Sequence, residues 1–151
     1  MIEGVAVKAL RLIPDERGYL MEILRNDDAF FEKFGQAYLS VAYPGVVKGW
    51  HYHQRQTDHM TVVSGMAKIV LYDRRAGSAT HGEVMELFVG ERNPALVRIP
   101  PGVCHGMKAI GTAPAFMINI PDRVYEYEHP DEYRLPPHGS EIPYDWSRKD
   151  G

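Results

Sequence analysis

Between residues 38 and 120 the chain is a succession of short runs rich in β-branched and aromatic residues, each closed by Gly, Pro, Asp or Ser. Segments 38–43, 60–63, 66–72, 84–89, 96–99 and 115–120 read as strands. Their recurrence at roughly ten-residue intervals points to an all-β sandwich or barrel rather than to βαβ units. One stretch reads as a helix. Asn26, Asp27 and Asp28 offer N-cap side chains, residues 29–34 carry apolar groups on one side, and Gly35 stops the run. Beyond Asn119 the character changes. Pro121, Pro130, Pro136, Pro137 and Pro143 forbid regular structure, while Tyr125, Tyr127, Tyr133, Tyr144 and Trp146 supply large anchors. This Pro/Tyr-rich end is expected to lie extended over the barrel, because so many exposed aromatics would be costly in water.

The remaining numbers bound the answer. A chain of 151 residues is expected to form one domain over 1–151, and 44% hydrophobic with 25% charged residues is ordinary globular composition. A net charge of −3, with Lys and Arg scattered singly, argues against a nucleic-acid partner, which needs a concentrated basic face. No apolar run approaches the ~20 residues of a membrane span. Met1-Ile2-Glu3-Gly4 carries an early acid and no basic region, so no signal peptide is expected. With Cys104 the single cysteine, an internal disulfide is impossible, and a cytoplasmic location is the simplest expectation.

Two segments carry the chemistry. In Lys48-Gly49-Trp50-His51-Tyr52-His53, two imidazoles share a face by the period of two along a strand, and the Asp58 carboxylate follows on what reads as the same strand. Pro100-Pro101-Gly102-Val103-Cys104-His105 places a further histidine just after a turn. Two neutral imidazoles facing one interior need partners or a purpose. His59, His81, His129 and His138, standing alone, read as surface or satisfied core groups. Cys104 reads as a small buried residue, because neighbours on a strand face opposite ways.

The spacings H-x-H-x4-D-x6-G and P-x-G-x2-H, about fifty residues apart, resemble the two motifs of the cupin superfamily, with Asp58 where Glu is usual. That resemblance implies a double-stranded β-helix, or jelly-roll barrel, with the two segments meeting in its mouth. A longer match narrows it. Asp15-Glu16-Arg17-Gly18-Tyr19-Leu20-Met21-Glu22, Gly35-Gln36, Ser40, Gly45-Val46-Val47-Lys48-Gly49-Trp50-His51-Tyr52, the stretch from Asp73 to Gly82, and Ile99 to Gly106 are similar, in order, to dTDP-4-dehydrorhamnose 3,5-epimerases.

The family resemblance implies an epimerase of a nucleotide-linked 4-keto-6-deoxy sugar, working without a cofactor in deoxysugar or surface-polysaccharide biosynthesis. Carbons beside the ketone carry acidified C–H bonds, so such an enzyme needs a base, a means of stabilising the enolate, and an acid on the opposite face. Residue by residue, it implies His51 as base, Lys48 as the cation preceding it, and His105 as a second active-site histidine. Arg17, Glu22, Gln36, Ser40, Arg75 and Asn119 fall at substrate-binding positions, Arg17 and Glu22 partly across a homodimer interface.

Three positions depart from that pattern. Asp58 stands where the family has a lysine, reversing the charge. Asn119 falls at or beside the family's tyrosine acid, leaving Tyr125 as the nearest phenol. The carboxylate that orients the base belongs to a C-terminal extension this chain mostly lacks, with Asp150 a faint substitute. These departures keep two alternatives in play. One is a metal-dependent cupin enzyme holding a divalent transition metal on His51, His53, Asp58 and His105. The other is a catalytically inactive nucleotide-sugar-binding module.

Overall fold

The computed structural model describes residues 1–150. Twelve strands form among them: β1 (Ala6–Ala9), β2 (Leu12–Asp15), β3 (Gly18–Met21), β4 (Tyr38–Ala42), β5 (Val47–Tyr52), β6 (Asp58–Ser64), β7 (Met66–Asp73), β8 (Val84–Gly90), β9 (Ala95–Ile99), β10 (Val103–Ile110), β11 (Ala115–Asn119) and β12 (Tyr133–Arg134). Two five-stranded antiparallel sheets run β1-β9-β6-β11-β4 and β12-β5-β10-β7-β8, and β2 with β3 makes a separate hairpin. This is the all-β jelly roll expected. Among the described residues no helix is long and apolar enough to cross a membrane.

Side-chain alternation divides the apolar residues between two cores. Met60 and Val62 of β6, Ile69 and Leu71 of β7, Val97 and Ile99 of β9 and Met107 of β10 meet between the sheets. Val70 and Cys104, which face the other way, join Trp50 and the tail residues Ile142 and Trp146 in a second cluster. The tail thus packs on the outer face of the second sheet. Trp146 is buried to 1% exposure, with its ring 5.0 Å from that of Trp50. Not every tail aromatic is an anchor, for Tyr127 is 89% exposed. The tail crosses β5 closely: a Cβ on Gly49 would lie 2.6 Å from Cβ of Pro137, so that strand tolerates no side chain there.

The helix expected over 29–34 does not form. Those residues lie in turns and extended chain, with Phe31 N–H bonded to the Asp28 carbonyl at 2.9 Å. Six residues make too few hydrogen bonds to offset helix nucleation. The Asp28 carboxylate also turns away from the expected helix, accepting from Arg25 N–H at 2.9 Å and from Lys8 Nζ at 2.7 Å. Tertiary contacts take the rest. Phe30 stacks on His59 at 5.9 Å, and Gly35 N–H bonds the Pro121 carbonyl at 2.9 Å.

Candidate active site

The histidine segments come together because the backbone ties them. Pro100 to Val103 forms a tight turn, with Val103 N–H reaching the Pro100 carbonyl at 3.4 Å and Gly102 at φ 81°, a conformation that favours glycine. Gly102 N–H then donates to the His53 carbonyl at 2.7 Å, joining this turn to the end of β5. One strand across, His105 of β10 pairs in register with His51 of β5. Asp58 arrives from elsewhere. The sequence reading put it on the strand of the histidines, whereas β5 ends at Tyr52 and Asp58 opens β6, in the opposite sheet. Residues 53–57 turn the chain from one sheet to the other.

Asp58 is the centre of the cluster. Its Oδ2 lies 3.0 Å from Nε2 of His105 and 3.1 Å from Nε2 of His53, and the carboxylate is wholly buried. Its Oδ1 accepts from Gln56 Nε2 at 2.8 Å and from Asn119 Nδ2 at 2.9 Å. The other ring nitrogens are committed. Nδ1 of His105 donates to the Val103 carbonyl at 3.0 Å, and Nδ1 of His53 to the Asp131 carbonyl. With Nδ1 protonated in both rings, both Nε2 atoms aim at Asp58, so a proton or a cation must lie between them and the carboxylate.

The electrostatics follow from burial and charge. Burial opposes ionisation of Asp58, but hydrogen bonds from His105 and His53 outweigh it and hold its carboxyl well below the usual range. Burial also opposes charging of His53, and there too the Asp58 carboxylate wins, raising its pKa. His51 behaves oppositely. Burial, reinforced by the neighbouring His105 and His53 rings, pushes its pKa well below 6.5 despite the Asp58 charge. Its ring centroid is 4.0 Å from that of His105, and it remains a neutral imidazole at neutral pH.

Beside this cluster opens a cavity of about 710 Å³, lined from both sheets. Gln36, Tyr38, Ser40, Lys48, His51, His53 and Tyr125 all border it. Lys48 Nζ donates to Ser40 Oγ at 2.8 Å, and Gln36 Oε1 accepts the backbone N–H of Tyr125 at 3.1 Å. His105, Asp58 and Asn119 are buried behind the wall. Arg17, Glu22 and Arg75 are elsewhere. Arg17 pairs with Asp15 and Glu22 with Arg25 on the hairpin side, both exposed. Arg75 binds Asp73 at 2.8 Å in a network with Ser78. Asp150 pairs with exposed Arg148, far from the role of orienting a base.

Several cavity residues were not singled out from the sequence, three of them with clear partners. Gln56 secures Asp58, Arg134 of β12 lies in register with His51, and Tyr38 sits between Gln36 and Ser40. Tyr38 had a signal: Gln36, Tyr38 and Ser40 alternate at a period of two and so share a face. Of the lone histidines, His81, His129 and His138 are exposed as expected, whereas His59 is buried and only half satisfied: Nδ1 bonds the Ile120 carbonyl at 2.9 Å and Nε2 has no partner. Cys104 is buried, which pushes its thiol up to about 12.

The family model described as "Polysaccharide biosynthesis C-terminal domain" matches residues 13–133. The "probable low-salt glycan biosynthesis epimerase Agl13" of Haloferax volcanii is 42% identical over 148 residues, covering 97% of this chain and 95% of that protein. A crystal structure of a dTDP sugar isomerase from Desulfovibrio desulfuricans superposes with a TM-score of 0.92 at 35% identity, covering 99% of this chain and 94% of the other. The dTDP-4-dehydrorhamnose 3,5-epimerase of Pseudomonas aeruginosa is 30% identical over 152 residues, covering 93% of this chain and 80% of that one. With the jelly roll and the paired histidine strands, these likenesses show that the chain belongs to the dTDP-4-dehydrorhamnose 3,5-epimerase family.

Proposed function

We propose that the chain epimerises a nucleotide-linked 4-keto-6-deoxy sugar in polysaccharide biosynthesis, with His51 as the base. The observation that carries this reading is a neutral imidazole on the wall of a cavity large enough for a sugar nucleotide. A C–H bond beside the C4 ketone gives its proton to His51, and the electron pair moves into an enolate. Lys48, at the cavity wall three residues before the base, offers the positive charge that an enolate oxygen requires. Incubation with dTDP- and UDP-linked 4-keto-6-deoxyhexoses, followed by NMR of the products, tests the proposal. A new epimer that His51→Ala abolishes while nucleotide-sugar affinity persists supports it; binding without turnover by the native protein supports the inactive binding module instead.

The nucleotide end needs further contacts, and Arg17 and Glu22 are on a hairpin away from this cavity. We infer that they serve a partner's site in a homodimer. The hairpin presents Ile13, Tyr19 and Leu20 at 46%, 60% and 58% exposure, an apolar surface suited to a second copy.

A second reading rests on the donor set. His51, His53, Asp58 and His105 each offer a ligand atom within 4.8 Å of the others. Two of these imidazoles have Nδ1 fixed by carbonyl groups, the outer support that metal-binding histidines use. Three imidazoles and one carboxylate fit a divalent transition metal, which would supply Lewis-acid polarisation of a carbonyl oxygen. Elemental analysis of the purified protein separates the two readings.

A further inference from the structure

Epimerisation needs a proton donor facing the base across the substrate, and Asn119 stands at or beside the position where the resemblance calls for a tyrosine. An amide has no proton of suitable acidity. Asn119 instead holds a different phenol. Tyr38 of β4 pairs in register with Asn119 of β11, and Asn119 Nδ2 lies 2.9 Å from the Tyr38 hydroxyl oxygen. The amide therefore donates to that oxygen, leaving the phenolic O–H free to donate elsewhere. Tyr38 borders the cavity, so that proton is available to a bound sugar.

The placement has the required handedness. His51 belongs to the sheet containing β5 and β10, whereas Tyr38 belongs to the opposite sheet, and both border the same cavity. A ring held between the sheets would present one face to each. From these positions we infer that Tyr38 is the catalytic acid, the phenol having moved one strand over from the position now held by Asn119. The inference rests on the epimerase reading of the site.

The proton balance is simple. His51 Nε2 or Nδ1 takes the C–H proton and becomes imidazolium, and the electron pair moves into the enolate. As the enolate collapses to the ketone, its carbon forms a new C–H bond with the proton of the Tyr38 O–H, on the opposite face. The phenolate and imidazolium left behind exchange protons with solvent and return to neutral. Burial, with the Asp58 charge nearby, pushes the Tyr38 phenol up to about 12, so it stays protonated between turnovers.

Tyr125 is the competing phenol. It borders the cavity too, but its ring packs against the Tyr127 ring at 5.2 Å, whereas Tyr38 connects through Asn119 to Asp58 and so to the histidines. Tyr38 is 39% exposed, so Tyr38→Phe removes an oxygen without opening a cavity in the core.

The test follows native protein, Tyr38→Phe and Tyr125→Phe in heavy water with dTDP- and UDP-linked 4-keto-6-deoxyhexoses. NMR reads deuterium uptake beside the ketone and formation of the inverted product separately. Tyr38→Phe is expected to keep deuterium uptake within about threefold, because His51 still removes and returns a proton on its own face. Its inversion should fall by about 100-fold or more. Tyr125→Phe should invert within about threefold of native. Loss of inversion with retained uptake in Tyr125→Phe rather than in Tyr38→Phe would assign the acid to Tyr125 and overturn the inference. Native-like inversion by Tyr38→Phe, or equal loss of uptake and inversion, overturns the assignment while leaving the epimerase reading intact. Absence of uptake in the native protein with every substrate overturns both.

Discussion

Asp58 and His105 meet across the two sheets of the barrel, with Oδ2 of one 3.0 Å from Nε2 of the other and both side chains buried. This contact links the start of β6 to the start of β10 and, with His53, helps hold the Asp58 carboxyl below its usual range despite burial. It also explains why a carboxylate is tolerated with no exposure to water. Four neighbours, His105, His53, Gln56 and Asn119, approach its two oxygens.

Removing that charge should be costly. Asp58→Ala leaves two imidazoles and two amides without their acceptor, and we expect a loss of about 3–5 kcal/mol in urea unfolding at pH 7. Because the fold holds the Asp58 carboxyl below 3.8, its contribution is fully present above that value. It is lost as pH falls further, so the native protein should lose more stability than the variant on acidification below about pH 4.

His51 must be neutral to take a proton, and its pKa lies well below 6.5. The acid limb of kcat/KM should therefore fall below pH 6.5, with activity retained as pH is lowered through the ordinary histidine range. At the other end, a phenol at about 12 should give no alkaline loss up to pH 10. A pH–rate profile covers both limits.

The exposed face of the hairpin predicts self-association. We expect a homodimer by sedimentation at micromolar concentration, and a monomer for Leu20→Glu, which places a charge in the apolar patch. If Arg17 serves a partner's cavity, the monomeric variant should also show KM raised by about tenfold or more, since a charge-assisted contact contributes about 1.5–3 kcal/mol.

The tail should act as part of the fold. Trp146 packs on Trp50 and Tyr144 with ring centroids 5.0 Å away in each case. Trp146→Ala is expected to cost about 3–5 kcal/mol, measured by thermal or urea unfolding.

Much of this architecture was legible in the sequence, and the misses have physical causes. Runs such as 66–72 and 84–89 announced strands because their apolar residues are dense and their ends carry turn formers. Strands β2 and β3 did not, since their hairpin is exposed on both faces and lacks alternation. The helix expected over 29–34 had local signals only, and contacts to His59 and Pro121 overrode them. His51 and His53 were found from a period of two. The position of Asp58 was not, because a few residues without periodicity hide whether a chain continues its strand or crosses to another sheet. Tyr38 carried a period-two signal with Gln36 and Ser40, but only the β4–β11 register shows that it reaches Asn119.

Proton exchange in heavy water with dTDP- and UDP-linked 4-keto-6-deoxyhexoses, followed by NMR, tests His51 as the base. A neutral His51 at the cavity wall predicts deuterium uptake beside the C4 ketone by the native protein, lowered by about 100-fold or more in His51→Ala. Uptake that is absent from the native protein, or unchanged in His51→Ala, would contradict it.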